Sequence, residues 1–121
     1  MDKPHKKLDV WNLSMDLADA VYRLTASFPP EKKFGLISQL RRAAVSVPSN
    51  LAEGAARSSR KEFGQFLSIA RGSLSELDTQ LDLSTRLGLI TQQSRADIDR
   101  LMISVDKMLY ALLNRQTKTN N

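Results

Sequence analysis

The sequence predicts an all-α fold, an antiparallel up-down-up-down four-helix bundle. Three observations predict it. Apolar residues recur at steps of three and four along four long segments, Pro, Gly and capping residues punctuate those segments at short intervals, and no Val/Ile/Thr alternation marks a strand. Short connections place successive helices side by side in opposite directions. The expected organisation is an N-terminal tail over 1–8, a bundle over 9–114 and a C-terminal tail over 115–121.

In the first helix, from Val10 to about Ser27, Val10, Leu13, Leu17, Val21 and Leu24 make the core stripe, and Trp11, Met15, Ala18 and Tyr22 widen it. Asp9 is the candidate N-cap. Asn12, Asp16, Asp19 and Arg23 form the wet face, and Pro29-Pro30 stops the helix. The tail before it holds His5, the only histidine.

The second helix is expected from Gly35 to Ala56, with Leu36, Leu40, Ala43, Val47 and Leu51 on its buried stripe. Pro48 interrupts it chemically, having no N–H to offer the Ala44 carbonyl and a ring that crowds the preceding turn. The apolar phase continues from Val47 to Leu51, so one helix kinked at Pro48 is predicted, with Ser46 and Ser49 available to the freed carbonyl. A separate polar stripe, Arg42, Ser46, Asn50, Glu53 and Arg57, is placed to meet a partner or to pair internally, Glu53 and Arg57 as an i,i+4 ion pair.

Ser59-Arg60-Lys61-Glu62 fits a capping box and starts the third helix, from Arg60 to about Leu87. Its stripe is read as Phe63, Phe66, Ala70, Leu74, Leu77, Leu81, Ser84 and Leu87, with Leu67, Ile69 and Leu83 beside or away from it. That surplus of apolar surface is available to another subunit, and Gly72 in mid-helix suggests close approach of another helix. Gly88 is a C-cap residue, Thr91 an N-cap, and a fourth helix runs from Gln92 to about Asn114. It buries Ile98, Leu101, Met102, Val105, Met108, Leu109 and Leu112, and wets Gln93, Asp97, Arg100 and Lys107.

Chemistry is sparse. A bundle can hold a di-iron site, but that requires Glu-x-x-His pairs, which a lone His5 does not supply. Asp78 and Asp82 share a helix face, as do Glu76 and Gln80, and carboxylates alone at that spacing read as solvated surface. There is no cysteine, no serine with a nearby histidine and no phosphate-binding glycine loop. The expectation is a non-enzyme with no cofactor and no metal. No apolar run approaches the roughly 20 residues a membrane span needs, and the charged start MDKPHKKLDVW has no signal-peptide core, so a cytoplasmic protein without a membrane role is expected.

The positive charge is localised. Residues 32–71 hold eight basic side chains against two acidic, whereas residues 72–113 hold four against six. Arg41, Arg42, Arg57, Arg60, Lys61 and Arg71 are therefore the candidate phosphate contacts, with Ser46, Asn50 and Glu53 as the accompanying polar face. The competing reading is a solvated basic face. Phe63 and Phe66 fall on the core stripe, so backbone contact is favoured over base stacking.

The run FGLISQLRRAAVSVPSNLAEGAARSSRKEFGQFLSIARGSLSELDTQL, with LDVWNLSMDLADAVYRLTASFP upstream, resembles the bacterial S23-like four-helix-bundle family named after proteins encoded by intervening sequences of 23S rRNA genes. The resemblance covers Leu8 to about Ile90 and is most specific at QLRRAAVSVPSNLAEG and FLSIARGSLSEL. It implies a ring-like homopentamer, a role with RNA or DNA and no catalytic residues. The accessory proteins of diversity-generating retroelements are distantly similar. They imply the alternative of a scaffold or accessory subunit for a protein partner such as a reverse transcriptase, although no feature of this chain assigns it to that subgroup.

Overall fold

A computed structural model describes residues 1–117, apart from the side chains of residues 32–34; residues 118–121 of the expected C-terminal tail lie outside the described residues. Four helices, α1 (Asp9–Thr25), α2 (Ser38–Ala55), α3 (Arg60–Arg86) and α4 (Gln92–Thr117), make up the chain, preceded by a 3-10 turn over Pro4–Lys7. Each helix packs on its neighbours in sequence, and α4 closes the square against α1. Gly54 meets Phe63 and Phe66 while Ser46 meets Ser73, so residues pair in reverse order along α2 and α3. The same reversal joins α3 to α4 through Arg60 with Arg115, Arg71 with Asp106 and Asp78 with Arg95.

The core is a leucine and valine seam. Leu17, Val21, Leu40, Val47, Leu51, Leu67, Leu77, Leu81, Val105 and Leu109 are wholly buried. On α3 the buried line is Gly64, Leu67, Ala70, Leu74, Leu77, Leu81 and Ser84. This corrects the expected stripe at both ends: Leu67 is core and Phe63 and Phe66 are half-buried at its beginning, and Leu87 is exposed at its close. The three-four rhythm does run back from Ala70, but to Leu67 and Gly64, and the bulky Phe63 and Phe66 cover the α2 side of the seam. Met15, Tyr22 and Met108 are likewise exposed rather than core.

Two core positions on α1 are polar. Ser14 and Thr25 are buried, and each hydroxyl donates to a carbonyl of the preceding turn, Trp11 O and Val21 O, at 2.8 Å. Back-bonding of this kind satisfies the group without a partner helix, which is why hydropathy alone misses it. Asp9 is the first helical residue rather than the cap; extended Leu8 precedes it without a side-chain cap. Asn12 instead ties the helix start to the N-terminal turn, donating to Lys6 O and Leu8 O.

α2 is preceded by a wide π turn over Lys33–Ile37 and runs unbroken through buried Pro48 to Ala55, so Gly54 lies inside the helix. The Ser46 hydroxyl does not serve the Ala44 carbonyl. It bonds to the Ser73 hydroxyl at 2.8 Å and accepts from Asn50 Nδ2, a polar bridge between α2 and α3. At the end of α3, Gly88 takes φ 75°, Leu89 N–H donates to Ser84 O and Gly88 N–H to Thr85 O, a Schellman closure that needs this residue's freedom. Thr91 then accepts the Ser94 N–H and starts α4, which extends three residues past the expected Asn114.

Gly54 and Gly72 have opposite surroundings. A Cβ at position 54 would stand 2.7 Å from Phe66 Cβ and 2.9 Å from Phe63 Cδ1, while one at position 72 would meet nothing within 4 Å. The close approach expected at Gly72 therefore occurs at Gly54 within this chain. Urea unfolding is expected to show Gly54→Ala losing about 1–3 kcal/mol through overpacking and Gly72→Ala gaining up to about 1 kcal/mol through helix propensity. Leu77→Ala should lose about 2–5 kcal/mol; near-neutral values for Gly54→Ala and Leu77→Ala would contradict this packing.

Candidate nucleic-acid interface

The α2–α3 turn is fixed by its cap. Ser59 is extended, its hydroxyl oxygen accepts the Glu62 N–H at 3.1 Å, and its O–H lies 3.2 Å from Glu62 Oε1. The capping pair thus uses the Glu62 side chain on the Ser59 hydroxyl. Its consequence is positional: Arg60 and Lys61 occupy the first turn of α3, with Ser58 and Ser59 between them and Arg57.

At that end of the bundle the Arg57 guanidinium lies 4.9 Å from the Phe66 ring centroid and 3.6 Å from Glu53 Oε1. Arg60 Nη2 donates to Arg115 O at 2.8 Å, joining the start of α3 to the end of α4. Lys61 is exposed and pairs with no described residue. His5 packs edge-on against Trp11, and both share a groove with Pro48 and Ala52, so the N-terminal turn with Lys3, Lys6 and Lys7 comes to this same end.

The six expected phosphate contacts are not one patch. Arg41 and Arg42 lie near the other end of α2, roughly 24 Å from Arg57 along the helix at 1.5 Å per residue. Arg41 is committed internally: its Nε donates to Thr25 Oγ1 at 2.9 Å, its Nη2 to Tyr22 O, and its guanidinium covers the Tyr22 ring at 4.5 Å. Arg42 is exposed and pairs with no described residue. Arg71 is on the α3–α4 face, bonded to Asp106 at 3.1 Å and lying over Tyr110 at 5.0 Å. Of the polar face, Glu53 pairs with Arg57, and Ser46 and Asn50 are used in the bridge to Ser73.

Sequence reasoning missed Arg95. Its Nη2, Nη1 and Nε reach Asp78, Asp82 and Asp99 at 2.7, 2.9 and 2.8 Å, with only 12% of the side chain exposed. Burial opposes its charge, but the hydrogen bond to Asp99 and the charges of Asp99, Asp82 and Asp78 outweigh it and hold the guanidinium above the ordinary arginine value. A cation whose folded pKa is raised contributes stability at every pH below its unfolded pKa, so this clamp operates throughout the neutral range and yields to salt before alkali. The signal was the pair of i,i+4 spacings, Asp78 with Asp82 and Arg95 with Asp99, which become neighbours only when α3 and α4 pair. Asp78 and Asp82 are thus anchors for α4 rather than idle surface. Among the described residues no group of three or more His, Cys, Asp or Glu is arranged to hold a metal ion, and no helix is long and apolar enough to cross a membrane.

Residues 6–111 match the family model of the 23S rRNA-intervening sequence protein. The chain belongs to that family. A crystal structure of a protein with unknown function from the S23 ribosomal protein family of Bacteroides thetaiotaomicron is similar, with a TM-score of 0.77 and 24% identity over 86% of this chain and 97% of that one. At that identity the likeness carries the fold alone. No curated protein matches the chain. In this member of the 23S rRNA-intervening sequence family, the two ends of the α3–α4 pair differ in character: arginine among carboxylates at one, and at the other cations without carboxylate partners among the described residues.

Arg95→Ala leaves three carboxylates facing one another, and is expected to cost about 1–3 kcal/mol in urea unfolding. Adding salt should shrink the loss. A neutral effect would mean that the clamp is merely a surface ion pair.

Proposed function

We propose that this 23S rRNA-intervening sequence protein is a non-enzymatic homo-oligomer that binds nucleic acid, RNA before DNA, through backbone phosphates. The observation that carries the reading is the charge gathered at the α2–α3 turn. Lys3, Lys6, Lys7, Arg60, Lys61 and Arg115 come to this end against Asp2, Asp9 and Glu62, while Arg57 and Glu53 pair with each other and Glu62 is held on Ser59. Cations grouped with few accessible carboxylates attract a polyanion and release its counterions on binding. Arg42, exposed on the α1–α2 side, adds a second, separate point of contact.

Self-assembly is supported by apolar surface. Met15, Tyr22 and Val45 line exposed grooves along the α1–α2 seam, and Ile69 and Leu83 on α3 and Leu87 just after it stand exposed. A homopentamer is the assembly the family resemblance implies, and repeating the basic end around one axis would convert weak phosphate contacts into linked binding events. The same grooves support the second reading, a scaffold for a protein partner, if nucleic acid does not bind.

The triple variant Arg42→Gln, Arg60→Gln, Lys61→Gln is expected to keep its helicity and its mass by light scattering. It should flatten the dependence of log affinity on log salt by about 0.7 to 0.9 for each phosphate no longer neutralised. Arg41 and Arg57 are left intact because their bonds to Thr25 and Glu53 are structural. An unchanged slope would make the basic end a solvated face, and a wild-type mass of 13.6 kDa across micromolar concentrations would refute self-assembly.

A further inference from the structure

The grooves of this bundle differ in what they can hold. The central α3–α4 groove sets Asp78, Asp99 and Asp106 beside Arg71, Arg95 and Lys107, and Arg71 and Arg95 are already paired with those carboxylates. Of the two α1–α2 grooves, one is walled by Trp11, Met15, Tyr22 and Val45 beside Asp19, and the other sets Arg42 and Arg41, the latter spent on Thr25 and Tyr22, among Tyr22, Ile37 and Val45. The groove of about 460 Å³ between the first turns of α3 and the last turns of α4 has Arg60, Lys61, Gln65, Ser68, Gln116 and Thr117 around a floor of Gly64 and Leu113, and no carboxylate among the described residues.

We infer that this groove takes a ribose-phosphate unit of a single RNA strand, an assignment that rests on the nucleic-acid reading above. Lys61, Gln65 and Ser68 recur at steps of four and three, so they stand on one face of α3 with the cation at the turn and the two neutral groups behind it. Arg60 spends one N–H on Arg115 O, which steadies the guanidinium at the lip and leaves further donors for a phosphate oxygen. Across the groove, Gln116 donates its Nε2–H to Leu112 O and so turns its amide oxygen into a fixed acceptor. Gly64 keeps the floor low: a Cβ there would have Gln116 Cβ and Leu113 Cδ1 as its nearest neighbours, both at 3.7 Å.

The chemistry sorts into two halves. Arg60 and Lys61 meet the phosphate, while Gln65, Ser68 and the Gln116 amide oxygen meet a hydroxyl that both donates and accepts. The ribose 2′-OH is such a group and deoxyribose lacks it. No aromatic side chain lines the groove, so bases are left outward and unread. The occupant is a single strand because the groove lies between two adjacent packed helices, whose axes in such a pair are about 8–10 Å apart.

The experiment is paired titration of the full chain with single-stranded RNA and DNA of the same sequence at one low salt concentration. The double variant Gln65→Ala, Ser68→Ala should lower RNA affinity about fivefold, the effect of roughly one hydrogen bond, and leave DNA affinity within about twofold, narrowing the RNA-to-DNA ratio. Lys61→Gln should weaken both ligands together. Circular dichroism serves as the fold control, since Gln65 and Ser68 are exposed helical positions. If the wild type binds RNA and the double variant keeps the full RNA-to-DNA ratio, the groove assignment is overturned while the nucleic-acid reading stands. If the wild type binds neither strand, that reading fails and this one with it.

Discussion

The bundle depends on the close approach of α2 to α3 at Gly54. Position 54 has no room for a methyl group beside Phe66 Cβ, so the two helices can meet there only across a glycine. From that approach the register follows, with Ser46 opposite Ser73 eight residues back along α2. The connection is so short that Arg57, Arg60 and Lys61 must emerge together. A packing constraint in the core thereby fixes where the charge stands on the surface.

Electrostatics divide the molecule along the α3–α4 seam. At one end Arg95 is half-buried among three carboxylates and consumed in holding α4 to α3. At the other, Arg60 makes the helix-to-helix tie with a neutral carbonyl, and no described carboxylate pairs with its charge. The first arrangement stabilises and the second attracts. This distinction separates a cation that belongs to the fold from one open to a ligand, and it removes Arg41, Arg57 and Arg71 from the second class.

Much of the fold could be read from the chain because its signals are local. The Ser59–Glu62 cap, the Gly88 closure, the Thr91 cap and the stripe from Leu74 to Ser84 all reside in a few consecutive residues, and the structure has them. Sequence and structure part where size or polarity masks position. Gly64 and Ser14 sit on the buried seam although neither is bulky and apolar, while Phe66 and Tyr22 are large but lie at its margin. The candidate site was legible as composition but not as geometry. Arg41 and Arg60 look alike in sequence, and only the pairing of helices tells that one is spent on α1 and the other tethered by a single bond.

Binding of a polyanion through phosphates at the α2–α3 end is the central claim. Its most direct measurement is equilibrium binding of the unmodified protein to ribosomal RNA, duplex DNA and heparin over a series of salt concentrations. Binding to all three is expected, RNA tightest, with log affinity falling linearly as log salt rises. Absence of binding to any of them at low salt, or an affinity indifferent to salt, would contradict it.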